Sequence, residues 1–305
     1  MTSSLRTATP DDALAFDSVR RAVFPYRVGS AESVRHLWET MPETARMLVL
    51  LAEVDGEVVG AGRALLNKWT SEEGAAEVLV MVQPDHRGHG VGRDIYNSLE
   101  WHLRDIGARR VEGWATDDEA SRAWCRNRGY EPTHEIRFSR LDLDDLDKLP
   151  PTPPMPDGVT VASLADVGPE AVHALYAATS VDEPGDMTLD VVGYDGWHSG
   201  IWTSPLIDHE SSTVVLVDGE PASYTLIEVD RDAARAWSGG TGTLRQHRGR
   251  GLAKIAKSVA LRKAARAGIT AAYASNDEVN GPMLAVNVWL GYRPCARQWA
   301  HIKVL

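Results

Sequence analysis

The sequence of 305 residues contains only two cysteines, Cys125 and Cys295, and they lie in different halves of the chain. So few thiols argue against a disulfide framework and favour a reducing, cytoplasmic environment. The sequence also lacks a CxxC pair and any cluster of histidine and cysteine. No metal site is therefore expected.

Long apolar segments and an excess of positive charge are missing too. No run of about 18 apolar residues occurs, so no transmembrane helix is predicted, and the N-terminal stretch MTSSLRTATPDDALAF has no apolar core typical of a signal peptide. The net charge of −11 offers no basic surface for nucleic acid. It fits a cationic small substrate, although solubility alone also explains it. Monomer and homodimer both remain open.

A repeated glycine-rich turn organises the sequence. HRGHGVG begins at His86 and HRGRGLA at His247, an offset of 247 − 86 = 161. Downstream, Tyr130 in RGYEP and Tyr292 in LGYRP are separated by 292 − 130 = 162. Because two landmarks keep their spacing, we expect two copies of one module of about 150 residues.

A proline-rich segment separates the two copies. LPPTPPMPDG, residues 149–158, contains five prolines, which favour an extended connector over a helix or a central strand. We therefore predict an N-terminal domain over residues 1–148, a linker over 149–158 and a C-terminal domain over 159–305.

Both copies show the same order of predicted elements. Asp-Gly pairs at residues 55–56 and 218–219 lie between strand patterns, which predicts hairpins. The strands AAEVLVMV and ARAWSGGTGT follow, and helices are predicted from Val91 to Ile106 and from Leu252 to Ala267. Each copy then has a strand (RRVEGWA or ITAAYAS) and a helix before a Gly-Tyr pair. This alternation predicts a mixed α/β fold.

The glycine turn at the start of a helix is suited to bind phosphate. The first turn of a helix carries unpaired amides and a partial positive charge, and glycine lets an anion approach the backbone closely. The spacing does not fit a dinucleotide fingerprint, because Arg93 stands where glycine or alanine is required, and no P-loop Gly-Lys-Ser/Thr is present.

Both turns instead resemble the pyrophosphate loop of the GCN5-related N-acetyltransferases (GNAT), with Arg87, Gly88, Gly90 and Gly92 in the first copy and Arg248, Gly249, Gly251 and Ala253 in the second. The resemblance covers nearly the whole chain. It implies two tandem GNAT-like domains, each a mixed, mostly antiparallel sheet flanked by helices. It also implies acetyl-CoA as co-substrate and no metal.

In this family the pyrophosphate lies on the amides of the turn. The pantetheine follows the preceding strand, which a bulge splays from its neighbour. The implied cofactor-binding residues of the first copy are Val80, Met81, Val82, Arg87, Gly88, His89, Gly90, Val91 and Gly92. Those of the second are Thr241, Gly242, Thr243, Arg248, Gly249, Arg250, Gly251, Leu252, Ala253, Asn280 and Asn287, with helix capping as the alternative for Asn280.

Direct attack by an amine on the thioester needs a base. Glu77, in the apolar strand AAEVLVMV, stands where some family members have a glutamate base. Burial there would raise its pKa, whereas an outward orientation would leave it in solvent. Ser238 occupies the matching place in the second copy, where Glu228 and Asp230, on the preceding strand and turn, are the substitute candidates.

The departing thiolate benefits from an acid, and here the sequence departs from the family pattern. Many members have a tyrosine four residues before the Gly-aromatic pair, where this chain has Cys125 and Asn287. Cys125 is a candidate acid or a small apolar residue of the core. Asn287 donates hydrogen bonds but cannot give up a proton. Either solvent protonates the thiolate or one copy has lost activity.

The resemblance therefore implies an acetyl-CoA-dependent N-acetyltransferase that acts on a small amine without an acyl-enzyme. The alternatives are a non-catalytic acyl-CoA-binding scaffold and a mycothiol-synthase-like acetyltransferase. The sequence does not identify the acceptor or the catalytic copy. Acidic and tryptophan-bearing segments at residues 180–187 and 194–205 suit a cationic acceptor.

Overall fold

The computed structural model describes residues 3–190 and 193–305, and it divides into two compact units. Unit 1 is the chain up to Ile136 together with Arg297–Leu305, and unit 2 is Arg137–Ala296. The end of the chain thus completes the unit formed by the N-terminal half. The domain limits expected from the linker at residues 149–158 stay a prediction.

Unit 1 is a sheet with helices on its faces. Its elements are β1 (Ser4–Thr7), α1 (Ala13–Val23), α2 (Ala31–Thr40), β2 (Leu48–Val54), β3 (Glu57–Leu66), β4 (Ala75–Val82), α3 (Val91–Asp105), β5 (Arg110–Thr116) and α4 (Glu119–Arg126). The five strands lie in chain order, with antiparallel pairs except for the parallel pair β4–β5. From Gln298 to Val304, the C-terminal strand pairs antiparallel with β5.

Unit 2 repeats this arrangement. After β6 (Glu131–Asp142), which begins in unit 1, come β7 (Val159–Ser163), α5 (Leu164–Val167), α6 (Pro169–Ser180), α7 (Tyr194–Trp197), β8 (Thr213–Val217), β9 (Glu220–Asp230), β10 (Arg235–Thr243), α8 (Leu252–Arg266), β11 (Ala271–Asp277) and α9 (Gly281–Leu290). The last strand, β12 (Arg293–Val304), begins in unit 2 and belongs to unit 1 from Arg297 onward. The pairs from β7 to β10 are antiparallel, and β10–β11 is parallel. The predicted α/β fold in two copies is therefore confirmed.

The predicted hairpins form at both Asp-Gly pairs. Asp55 and Gly56 have φ angles of 52° and 84°, and Asp218 and Gly219 have 52° and 89°. Two successive residues with positive φ produce the turn whose twist matches the flanking strands. Asp-Gly sequences favour this turn, since aspartate tolerates the left-handed region and glycine adopts it freely.

Side chains of β9 define two faces of the sheet in unit 2. Ile227 and Val229 belong to one apolar cluster with Leu261 of α8. Tyr224 points to the opposite face, where its hydroxyl lies 3.5 Å from the hydroxyl of Thr179 on α6. Because successive residues of a strand alternate between faces, even-numbered residues 224–228 face α6 and odd-numbered residues face α8.

The two units differ in the strand that precedes the glycine turn. The register of β9 and β10 shifts between Ser238 and Thr241, which is a bulge containing Gly239 and Gly240. The pairing of β3 with β4 is unbroken from Gly60↔Val82 to Leu66↔Ala76. The bulge expected in both copies is thus present in unit 2, and the expectation was wrong for unit 1, where β4 has no extra residue to accommodate.

Candidate active site

In each unit, the two parallel strands separate and leave an opening between their C-terminal ends. Strands β4 and β5 pair only from Ala75↔Arg110 to Glu77↔Glu112, although both continue for several residues. Strands β10 and β11 pair only from Arg235↔Ala271 to Trp237↔Tyr273. The strand separation implied by the family resemblance is therefore present in both copies.

The glycine turns lie at the start of helices that have no side-chain cap. Helix α3 follows Gly90 with φ 92°, and α8 follows Gly251 with φ 78°. A Cβ placed on Gly88, Gly249 or Gly251 would meet no atom within 4 Å. The unpaired amides of the first helical turn thus border open space, which is the arrangement that binds anions.

An arginine fixes each turn to the end of the preceding strand. The Nε of Arg87 donates to the carbonyl of Val82 at 3.1 Å, and the Nε of Arg248 donates to the carbonyl of Thr243 at 3.0 Å. Arg248 also donates to Asp182 at 2.5 Å. Together with Arg245, it holds the pKa of Asp182 well below its usual range. These contacts give both arginines a role in positioning the turn.

The turn of unit 1 borders a cavity of about 480 Å³. Of the residues predicted for this copy, Val80, Val82, Arg87, Gly88, Gly90, Gly92 and Cys125 line it, and Met81, His89 and Val91 do not. Burial raises the pKa of the Cys125 thiol to about 11, so it stays protonated at neutral pH. The sequence interpretation missed Tyr96, which lines the same cavity and accepts a hydrogen bond from Lys303 Nζ at 3.1 Å.

Glu77 does not line that cavity. It borders a separate space of about 40 Å³ together with Arg27 and Arg63. Its Oε1 accepts a hydrogen bond from Asn67 Nδ2 at 3.1 Å, and its Oε2 lies 4.0 Å from Arg63. The structure therefore places this carboxylate among polar partners, away from the glycine turn.

The turn of unit 2 borders a larger cavity of about 820 Å³. Of the residues predicted for this copy, Arg250 and Asn287 do not line it. The others do: Glu228, Thr241, Gly242, Thr243, Arg248, Gly249, Gly251, Leu252, Ala253 and Asn280.

The two asparagines of unit 2 make local contacts. The side chain of Asn280 accepts a hydrogen bond from the Met283 amide at 3.3 Å, so Asn280 caps the N-terminus of α9, as the alternative interpretation of this residue predicted. Asn287 Nδ2 donates to Asn276 Oδ1 at 2.6 Å, while its own Oδ1 is buried without a partner. Asn287 is thus held beside the cavity through Asn276, which lines it.

Glu228 is the carboxylate whose pKa is raised most strongly in the cavity of unit 2. It is half-buried on the α6 face, and burial raises its pKa to about 7. A Cβ on Gly239 would lie 3.2 Å from its Oε1, so the carboxylate lies against the bulge. Within the described residues, its carboxylate accepts no hydrogen bond and forms no ion pair.

Lys257 is a second ionisable residue in this cavity, and the sequence interpretation missed it. It is 1% exposed, its Nζ donates to Ser238 Oγ at 2.6 Å, and burial lowers its pKa to about 7. A signal was available: Lys257 shares the apolar face of α8 with Ala260, Leu261 and Ala264, at spacings of three, four and seven residues. A lysine in such a stripe is predicted to be buried.

Within residues 3–190 and 193–305, no group of three or more histidine, cysteine, aspartate or glutamate side chains is arranged to hold a metal ion. Over the same ranges, none of the helices combines the length and apolar character needed to span a bilayer.

Comparisons with known proteins agree with this geometry. Residues 15–130 match the family described as acetyltransferase (GNAT) family. Over 147 residues, the chain is 26% identical to aminoglycoside N(6')-acetyltransferase type 1 of Stenotrophomonas maltophilia, and the match covers 46% of this chain and 94% of that protein.

Two solved structures are similar over almost the whole chain. A GCN5-related N-acetyltransferase from Sphaerobacter thermophilus has a TM-score of 0.74 at 21% identity, covering 99% of this chain and 95% of that one. A tandem GNAT protein from the clavulanic acid biosynthesis pathway has a TM-score of 0.77 at 19% identity, covering 99% and 98%. Residues 15–130 therefore carry the likeness to the acetyltransferase (GNAT) family, and the whole chain shares the fold of these two solved structures.

Proposed function

We propose that this protein is an acetyl-CoA-dependent N-acetyltransferase that transfers acetyl to a small amine by direct attack. We further propose that unit 2 carries the chemistry. One observation supports this most strongly: an open glycine turn, a pair of separated strands and the unpartnered carboxylate of Glu228 border the same cavity.

The residues of unit 2 fit acetyl-CoA, which supplies the acyl thioester when bound. The amides of Gly249–Ala253 face open space where a diphosphate would lie. Lys254 lines the same cavity and adds positive charge. Backbone groups of Thr241–Thr243, at the end of β10, would hold the pantetheine.

Glu228 is the proposed base. With a pKa of about 7, it is ionised in about half of the molecules at neutral pH and accepts the proton that the attacking amine loses. Its place on the α6 face, beside the glycines of the bulge, leaves room for an acceptor to approach the opening between β10 and β11. General bases of this kind contribute about 10²–10⁴ in rate.

In the described part of unit 1, no carboxylate stands at the position equivalent to Glu228. Glu77 pairs with Leu65 in the sheet, and Ser238 pairs with Ile227. Because Glu77 and Ser238 are equivalent, their partners Leu65 and Ile227 are equivalent too, and the next residue, Leu66, takes the place that Glu228 has in unit 2. Glu77 itself is hydrogen-bonded to Asn67 outside the main cavity. The contrast supports assigning proton abstraction to unit 2.

A cationic amine is the proposed acceptor class. Glu183 also lines the cavity of unit 2, and burial raises its pKa. Glu183 and Glu228 both act on the pKa of Tyr176, so they lie near each other, and two neighbouring carboxyl groups favour a cationic group in that part of the cavity. Aminoglycosides are one cationic class to test, since a relative of this chain is named for acetylating them.

Thiol release measured with a set of amines tests the proposal. The wild type should release CoA only when an acceptor is present, and Glu228→Gln should lower the rate about 100-fold or more. Glu220→Gln, an exposed carboxylate at the start of the same strand, is the matched control and should leave the rate unchanged. Tight binding of acetyl-CoA without acceptor-dependent release would contradict the enzyme and support the non-catalytic scaffold.

A further inference from the structure

Lys257 lies where the parallel strands of unit 2 separate. The last pair of β10 and β11 is Trp237↔Tyr273, so Ser238 is the first residue of β10 beyond the point of separation. Lys257 Nζ donates to the hydroxyl of this serine at 2.6 Å. The amine therefore sits at the closed end of the opening, deep in the cavity that the glycine turn borders.

No opposite charge explains the position of this lysine. In the described part of the chain, Lys257 forms no ion pair. The groups around it are the Ser238 hydroxyl on β10 and the ring of Tyr292, whose centroid is 5.7 Å from Nζ. On the same helix, Lys254 lies over Trp289 instead. A buried cation without a counter-ion destabilises the fold, so its presence in a cavity indicates a functional role.

Lys257 and Glu228 approach the opening from opposite faces of the sheet. Ser238 pairs with Ile227, which belongs to the cluster on the α8 face, and Lys257 reaches Ser238 from that side. Glu228 is on the α6 face. A molecule in the opening would thus have a carboxylate on one side and an ammonium on the other, an arrangement that suits a base and an acid acting on two different atoms.

We infer that Lys257 is the general acid of unit 2 and donates a proton to the sulfur that leaves during acyl transfer. The inference rests on the proposed function. The amine nitrogen bonds to the carbonyl carbon and the carbon–sulfur bond breaks, with its electron pair going to sulfur. Glu228 takes a proton from the amine nitrogen, and Lys257 gives one to sulfur. Proton exchange with solvent restores the carboxylate and the ammonium, so the products are an amide and a free thiol.

The internal repeat supports this assignment. The position equivalent to Lys257 is 257 − 161 = 96, which is Tyr96. Its side chain lines the cavity of unit 1 as Lys257 lines that of unit 2. Both copies thus place a side chain that can donate a proton at the same turn of the helix that follows the glycines.

The test compares wild type with Lys257→Met, and uses Lys263→Met, on the same helix but facing the Glu210 carbonyl, as the control. With acetyl-CoA and an accepted amine, Lys257→Met should lower kcat about 100-fold and leave the KM for acetyl-CoA within a few-fold. The alkaline limb of the pH–rate profile should disappear, because that limb reports loss of the lysine proton.

A binding measurement provides a readout that does not depend on turnover. By calorimetry at about pH 6, where Lys257 is charged, the wild type and Lys263→Met should bind CoA about 10-fold more tightly than desulfo-CoA, because the ammonium of Lys257 donates to the sulfur. Lys257→Met should bind the two equally. If Lys257→Met keeps both its kcat and the preference for CoA, the inference is overturned. If the wild type itself releases no thiol with any amine, the proposed function fails instead.

Discussion

Replacing Lys257 by methionine should stabilise the protein in a strongly pH-dependent way. Methionine has nearly the length and shape of the lysine stem, so packing on the apolar face of α8 changes little. The substitution removes an amine that burial holds at a pKa of about 7, against 10.5 in solvent. The expected effect on the free energy of unfolding follows from this difference.

The sign and size can be worked out from the two pKa values. Below about pH 7, Lys257 is charged in both the folded and the unfolded state. Burial of its charge then lowers the free energy of unfolding by about 5 kcal/mol. Between about pH 7 and pH 10.5, the unfolded chain binds more protons than the folded one, so the stability of the wild type rises with pH. The advantage of Lys257→Met should therefore shrink by about 4 kcal/mol between about pH 6.5 and about pH 10.

Urea-induced unfolding at several pH values, followed by tryptophan fluorescence, measures this difference. Lys263→Met serves as the control, and its stability relative to wild type should not change with pH in this way. A pH-independent difference between wild type and Lys257→Met would refute the reasoning, since it would mean that Lys257 does not change its charge between the folded and the unfolded state.

Three further predictions concern the sites directly. Gly249→Val should lower acetyl-CoA affinity at least about 10-fold by calorimetry, because a side chain would cover the open amides. Gly219→Val, with similar positive φ and equally open space, controls for backbone strain, and equal losses in both would contradict the anion site. In Glu228→Gln, the rise of kcat with pH through about 7 should vanish, because that rise reports ionisation of this carboxyl; a retained rise would exclude it as the base. Cys125 should alkylate with iodoacetamide far more slowly than exposed Cys295, measured by mass spectrometry, because burial keeps it as the thiol; comparable rates would contradict that environment.

Local sequence patterns predicted the elements that position the sites. The starts of α3 at Val91 and of α8 at Leu252 follow from the glycine turns, and both hairpins follow from Asp-Gly pairs. The repeat also indicated that both copies share one fold. These features depend on short-range backbone preferences, which a sequence shows directly.

Features that depend on tertiary pairing were not predictable in this way. The strands β6 and β12 were missed, although the segment ARQWAHIKV alternates as a strand does. That Arg297–Leu305 completes unit 1 depends on pairing with β5, nearly 200 residues earlier in the chain. The contacts of the carboxylates could not be predicted from the strand patterns either. The side chain of Glu77 is hydrogen-bonded to Asn67, whereas among the described residues the carboxylate of Glu228 has no such partner.

A crystal structure of the protein with acetyl-CoA tests the central claim most directly. We expect the diphosphate on the amides of Gly249–Ala253 and the thioester in the opening between β10 and β11, with Glu228 on one side and Lys257 near the sulfur. A diphosphate bound away from the Gly249–Ala253 turn at saturating acetyl-CoA, including one bound only at the glycine turn of unit 1, would contradict the central claim.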